Sequence, residues 1–369
     1  MELGYFAMPL HPPGTPAADW LEHDLLQLEY LDQLGYTEAW IGEHFTLPWE
    51  PLAAPDLFIA AALQRTTSIR LGTGVACLPS HHPAQLAARI ALLDHLARGR
   101  LNFGIGVSGY NESELWGLDW STDEHRDKFH AVIDAVIQLW TDPKPGLYES
   151  PFFRFRVPEP QAPYRIEFHH RPFQNPYPPI AVAAMTPKSS SLVLAGQRGW
   201  IPMSFTIASV PVLQGSWQTY ADAALAAGRT PERATWRIAR EVFVGRTSAA
   251  AREEALHGSL AEGWRHHILT ALPTLKVPMA ALLGPDADVD PDDVDAVLEY
   301  LCDNLWIVGD ADEVTEKINN LYDDVGGFGT LLTMAHEWDD AGAWRESVRL
   351  MAQEVQPHLR ELASTGIAV

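Results

Sequence analysis

Short apolar runs alternate along this chain with longer segments whose apolar residues recur every three or four positions. Residues 3–8 form the first run, followed by the turn residues His11, Pro12, Pro13 and Gly14. Residues 19–34 then place Leu21, Leu25, Leu28 and Leu31 at helical spacing and stop at Gly35. The same alternation predicts strands at 38–41, 69–77 and 101–107, with helices at 57–63, 83–96 and 124–140. Pro83 opens its helix, a position where proline is tolerated. A proline-rich, irregular stretch covers 143–179. Strands resume at 180–184, 200–203, 236–244 and 330–334, with helices at 189–196, 217–227, 312–323 and 344–362. Residues 249–304 are helical in part and rich in Pro and Asp near 285–293.

Eight strands that alternate with helices imply parallel strand–helix–strand units, and eight such units imply closure into a barrel. The predicted fold is therefore an α/β chain, a (β/α)8 TIM barrel forming one domain over 1–369. Its insertions are expected at about 143–179, after the fourth helix, and about 249–304, between the seventh and eighth strands. An open doubly wound sheet would call for G-x-G-x-x-G after the first strand, and the chain has none there. A barrel locates function in advance, in the loops after the strands' C-terminal ends. Those loops carry Glu43-His44-Phe45, the turn from Leu78 to Pro83, residues 108–111, residues 185–189, and His336-Glu337-Trp338.

Composition narrows the classes further. Hydrophobic residues make up 47% and charged residues 20%, enough apolar material for a large core. A formal net charge of −22 repels phosphate backbones and anionic lipid, so neither nucleic acid nor a membrane is an expected partner. Two cysteines, Cys77 and Cys302, leave no disulfide framework and point to a cytoplasmic location. No cluster has zinc-ligand spacing, so no metal is expected. Residues 3–8 read as a first strand instead of a signal peptide, and no apolar stretch is long enough to span a bilayer.

Several motifs resemble a known family. Gly35-Tyr36-Thr37-Glu38-Ala39-Trp40-Ile41-Gly42-Glu43-His44 resembles the second-strand signature of the bacterial luciferase-like flavin monooxygenases. Leu71-Gly72-Thr73-Gly74-Val75 through His82-Pro83 resembles the third strand and its turn. Leu93-Asp94 and Gly99-Arg100-Leu101-Asn102-Phe103-Gly104-Ile105-Gly106 resemble the next helix and fourth strand. Phe328-Gly329-Thr330 through His336-Glu337-Trp338 is similar to the limonene-monooxygenase branch. The likeness spans most of the barrel and leaves out the two insertions.

The resemblance implies a two-component enzyme. Reduced FMN would come from a separate NAD(P)H:flavin reductase, with O2 as co-substrate and a flavin C4a-(hydro)peroxide as oxidant. The substrate would be a hydrophobic organic molecule, oxygenated by epoxidation, hydroxylation or Baeyer–Villiger insertion. A homodimer is expected on the same ground. Three other readings stand beside it. One is an F420-dependent oxidoreductase on the same fold, which would transfer hydride and ignore O2. Another is a non-catalytic flavin-binding protein. The third is an unrelated barrel hydrolase, for which Glu43 and Glu337 are the available carboxylates.

His44 is the catalytic candidate, because histidine can move a proton near neutral pH and this one ends a barrel strand. Glu43 is read as structural. The resemblance implies cofactor contacts from Gly74, Val75, Gly106, Tyr110, Met185, Thr186, Lys188 and Ser189, with a non-prolyl cis peptide at Gly74–Val75 against the flavin ring. Thr186 and Ser189 lead into a helix, where hydroxyls and free N–H groups suit a phosphate and equally suit simple capping. Luciferase has a basic residue after the fourth strand where this chain has Val107, so more of the phosphate's hold is expected from Thr186, Lys188 and Ser189. Phe6, Phe45, Trp49 and Phe205, with Tyr110, are the candidate lining of an apolar substrate pocket. The insertion at 249–304 is the candidate lid.

Overall fold

The computed structural model describes residues 1–107, 110–161, 163, 165, 167–273, 278–284 and 287–361. Eight strands close into a barrel: β1 (Glu2–Ala7), β2 (Glu38–Ile41), β3 (Arg70–Cys77), β4 (Leu101–Gly106), β5 (Ile180–Ala184), β6 (Ile201–Ser204), β7 (Arg237–Arg240) and β8 (Thr330–Met334). Each strand pairs in parallel with its chain neighbour, and β8 closes the ring on β1. The outer helices are α1 (Ala17–Leu34), α2 (Pro55–Ala62), α3 (Pro83–Ala97), α4 (Glu124–Thr141), α5 (Ser190–Arg198), α6 (Val210–Ala226), α7 (Ala311–Val325) and α8 (Ala341–Leu350). Among the described residues, no helix is long and apolar enough to cross a membrane.

Strand alternation splits the core in two. Leu3, Tyr5 and Ala7 on β1, with Ala39 and Ile41 on β2, pack in the layer between sheet and helices. Phe6, Met8 and Trp40 belong to a second cluster inside the barrel, with Ala181, Met203, Ala239, Leu332 and Met334. Trp40 is a large, fully buried interior side chain and needs small neighbours. A Cβ on Gly72 would come within 2.8 Å of its ring, and one on Gly104 within 2.0 Å of the Thr73 carbonyl oxygen. Glycines on β3 and β4 thus make room for one tryptophan on β2. Below it, Glu38 binds both the Trp40 indole N–H at 2.9 Å and Arg237 at 3.0 Å.

Three expectations need correction. The run at 236–244 is not one strand. β7 ends at Arg240, and Val242–Val244 leaves the barrel to pair in parallel with Ile307–Gly309. Between them Glu241 is fully buried, because its carboxylate turns inward to polar partners there. The stretch at 143–179 is not wholly irregular, since Gly146–Ser150 and Phe153–Val157 form an antiparallel hairpin. The closing helix is shorter than 344–362: α8 passes into a π turn, Met351–Val355, and then a 3-10 turn, Gln356–His358.

Between β7 and β8 lie the helices Ser248–His257, Ser259–Gly263 and Val294–Asn304. Apolar side chains of this segment, Ala251, Leu260, Trp264, Leu298 and Leu301 among them, join the same cluster as Phe6 and Met334. This segment shares its core with the barrel interior, so its packing places side chains at the barrel mouth.

Candidate active site

His44 follows β2, and its direction is set by the residue before it. The Glu43 carboxylate is buried and turns toward β3, accepting from the Cys77 N–H at 2.5 Å and meeting His81 Nε2 at 2.9 Å. That arrangement supports the structural reading of Glu43. His44 then lies between two other carboxylates. Its Nδ1 is 3.0 Å from Glu112 Oε1, which also accepts the Phe45 N–H at 2.8 Å. Its Nε2 is 3.2 Å from Glu50 Oε2, a charge contact outside hydrogen-bond alignment. Both carboxylates are buried, while the His44 side chain keeps 29% of its exposure.

Burial by itself lowers the His44 pKa. The charge of Glu50, the hydrogen bond and charge of Glu112, and the charge of Glu43 outweigh it, so the imidazole is pushed up to about 9. At neutral pH His44 is an imidazolium with a carboxylate at each nitrogen. Glu50 responds in the opposite sense: burial pushes its carboxyl up, but His44 and His267 bring it below the ordinary range. Neither Glu50 nor Glu112 was singled out from sequence. The signal for Glu112 was weak, since it is one of four acidic residues between β4 and α4.

A second polar group sits where β7 breaks. Glu241 Oε2 meets His336 Nε2 at 2.6 Å, and Oε1 accepts the Trp264 indole N–H at 3.0 Å. Neither side chain of the Glu241–His336 pair has any exposure. Next to it the buried Arg240 donates to the Ala208 carbonyl at 2.7 Å, and burial lowers its pKa to about 10. The available signal was Arg240-Glu241, two charges inside an apolar run.

Glu337 accepts a hydrogen bond from the Tyr5 hydroxyl, and burial, then the charge of Asp24, pushes its carboxyl up. Glu43 and Glu337 thus turn to different partners, against the hydrolase reading. His23, Asp24 and Glu337 approach one another closely enough to consider a metal, a grouping that sequence spacing does not reveal.

The expected flavin contacts fall in two places. The Gly74–Val75 peptide is cis, and the β3–β4 register shifts between Thr73 and Ala76. Gly106 lies against Val75, where an added Cβ would come 2.3 Å from Val75 Cγ2. Thr186 and Lys188 are exposed ahead of α5, as is Met185. Ser189 caps α5, its hydroxyl oxygen accepting from the Ser191 N–H at 3.2 Å. Its O–H still has a proton to donate. Sequence reading missed Arg126, whose Nη1 donates to Ser190 Oγ at 3.1 Å. Hydroxyls, a lysine, an arginine and a helix N-terminus together make a donor set that fits a phosphate. The side chain of Tyr110 lies outside what the structure describes, as do Ser108 and Gly109.

The candidate pocket aromatics separate. Phe6 meets Phe205 edge-on, with ring centroids 6.1 Å apart, at the top of the barrel interior. Trp49 meets Trp338 at 5.9 Å and stacks near His266 and His267. Phe45 instead packs edge-on against Trp116 at 5.2 Å.

Comparison with known proteins agrees with this fold. The family model for luciferase-like monooxygenase matches residues 1–329. The 4-hydroxyprotoasukamycin monooxygenase of Streptomyces nodosus subsp. asukaensis is 35% identical over 97% of this chain and 92% of its own. Limonene 1,2-monooxygenase of Rhodococcus erythropolis is 31% identical over 97% of this chain and 86% of its own. Among solved structures, the oxygenating constituent of 3,6-diketocamphane monooxygenase from Pseudomonas putida, a type II Baeyer–Villiger monooxygenase in complex with FMN, superposes with a TM-score of 0.89. It is 30% identical and covers 98% of this chain and 99% of its own. A barrel closed by eight parallel strands and likeness along nearly the whole chain agree: the protein belongs to the luciferase-like monooxygenase family.

Proposed function

We propose that this chain is the oxygenase of a two-component system, using reduced FMN from a separate reductase and O2 to place one oxygen atom in a hydrophobic organic substrate. The observation that carries the reading is His44, held as a cation between Glu50 and Glu112 after β2. Bound reduced FMN supplies the electrons that activate O2. The chain's own residues do the rest. Ser189, Ser190, Lys188 and Arg126 would hold the phosphate at α5, and Thr186 would add a hydroxyl. Gly74, Val75 and Gly106 would form a wall for the flavin ring system. Phe6, Phe205, Trp49 and Trp338 present apolar surface to the substrate and exclude water. His44 keeps a proton on each ring nitrogen at neutral pH, so it acts as a proton donor and fixed positive charge, not as a base.

Oxygenation with isotopically labelled O2 tests the reading. Limonene and a diketocamphane are the first substrates to try, since similar proteins carry those names. One labelled atom in product, dependent on reduced FMN, supports it. Anaerobic hydride transfer from reduced F420 would replace it with the dehydrogenase reading.

Two further results are expected. Arg126→Ala weakens FMN binding about tenfold, the usual scale for one charge-assisted hydrogen bond. Riboflavin, which lacks the phosphate, should bind the variant and the parent equally; flavin fluorescence titration reads both. The pH dependence follows from His44. Its folded pKa, about 9, lies above the ordinary 6.5. The stability this charge contributes is therefore complete below about 6.5 and lost as pH rises through about 9. A step that needs the imidazolium declines over the same upper limb, so kcat/KM should fall as pH passes about 9.

A further inference from the structure

The long segment between β7 and β8 reaches His44 through one carboxylate. His267 lies in the π turn Trp264–Ile268 of that segment, and its Nε2 is 2.6 Å from Glu50 Oε1. The other oxygen of Glu50 faces His44 Nε2 at 3.2 Å. One carboxylate thus joins two imidazoles whose residues are far apart in the chain. The π turn is itself anchored, since its Trp264 donates to Glu241 inside the barrel mouth at 3.0 Å. Single π turns of this kind often accompany functional sites. The Glu50 segment is held locally as well: its N–H bonds the Leu47 carbonyl at 3.0 Å, and the Trp49 carbonyl accepts from the His11 N–H at 2.9 Å.

We propose that His267 is a positioning residue for His44: it fixes the Glu50 carboxylate, and Glu50 in turn fixes the position and charge of the His44 imidazole. The inference rests on the reading of His44 as the group that holds a proton at the site. Among the described residues, three carboxylates act on His44. Glu112 lies on Nδ1, Glu50 on Nε2, and Glu43 adds charge from the adjoining residue. Cys77 is on the far side of Glu112, with Sγ 3.9 Å from Oε2, and His81 is bound to Glu43. Glu50 is the one that a described side chain of the inserted segment, His267, binds. Without His267 the Glu50 side chain loses its one aligned hydrogen bond and spreads over more conformations, so its mean distance from His44 grows and the pull on the proton weakens.

The test is the His44 titration, followed by NMR of histidine-labelled full-length protein without flavin. His267→Ala should lower the His44 midpoint by about half a pH unit or more. Glu50→Gln should lower it further, and adding His267→Ala to Glu50→Gln should change nothing more. His267→Gln, whose amide can stand in for Nε2–H, should restore the wild-type midpoint. If His267→Ala fails to fold, His267→Leu keeps bulk without a donor and must show the same fall. An unchanged midpoint in either variant overturns the proposal and leaves His267 as packing for Trp49. The titration needs neither flavin nor substrate. Failure of the functional reading would appear elsewhere, as full oxygenation by His44→Ala.

Discussion

His44→Ala is expected to lower the oxygenation rate by about 10²–10⁴-fold, the usual contribution of a positioned proton-transfer group. The site explains why no neighbour would substitute. Glu43 is committed to the Cys77 N–H and His81, so it cannot turn into the place His44 leaves. Glu50 and Glu112 would remain as two buried carboxylates facing a void, and their mutual repulsion would discourage negative charge at the site. The void gains negative potential just where the parent protein has a cation. FMN affinity should change little, because the phosphate donors lie at α5. Single-turnover product yield, measured beside the FMN dissociation constant, separates the two effects. A variant with unchanged yield and unchanged binding would remove His44 from the chemistry.

Glu241→Ala is expected to cost about 2–6 kcal/mol of folding stability, because two buried partners, His336 and the Trp264 indole, lose their hydrogen bond, at about 1–3 kcal/mol each. Glu241 and His336 have no side-chain exposure, and the pair is 2.6 Å apart. Removing the carboxylate also deprives the Trp264 indole N–H of its acceptor. His336 Nδ1 already has no partner, so the imidazole would be left without any hydrogen bond. The loss falls at the joint between β7, β8 and the inserted helices. It should appear as a lower denaturant midpoint in the full-length protein. The double variant Glu241→Leu with His336→Leu should recover part of the loss, since a paired apolar replacement leaves no imidazole without its partner. Equal stability of Glu241→Ala and parent would mean that the pair contributes nothing net.

These two residues differ in how far the sequence announces them. His44 ends a strand whose period and flanking glycines are visible locally, and its motif is continuous over residues 35–44. Glu241 sits inside an apolar run that reads as one strand through 244. Local periodicity has no way to show that the chain leaves the barrel at that point, because the cause is a pairing with Ile307–Gly309, more than sixty residues later. The phosphate donors show the same division. Ser189 is recognisable as a residue that leads into a helix. Arg126 looks like an ordinary exposed residue in the first turn of α4 until the barrel brings it to Ser190.

By itself the sequence determined the alternation of strands and helices, the count of eight, the absence of a dinucleotide fingerprint after β1, and the place of His44 at the end of β2. Those features follow from side-chain periodicity, turn residues and short motifs, all of which act between near neighbours. Only the tertiary structure decided that His44 is a cation. Its charge depends on Glu112, 68 positions along the chain, and on Glu50, whose own partner His267 lies 217 positions further on. Electrostatic energy depends on distance in space and on burial, and neither is written in the order of residues.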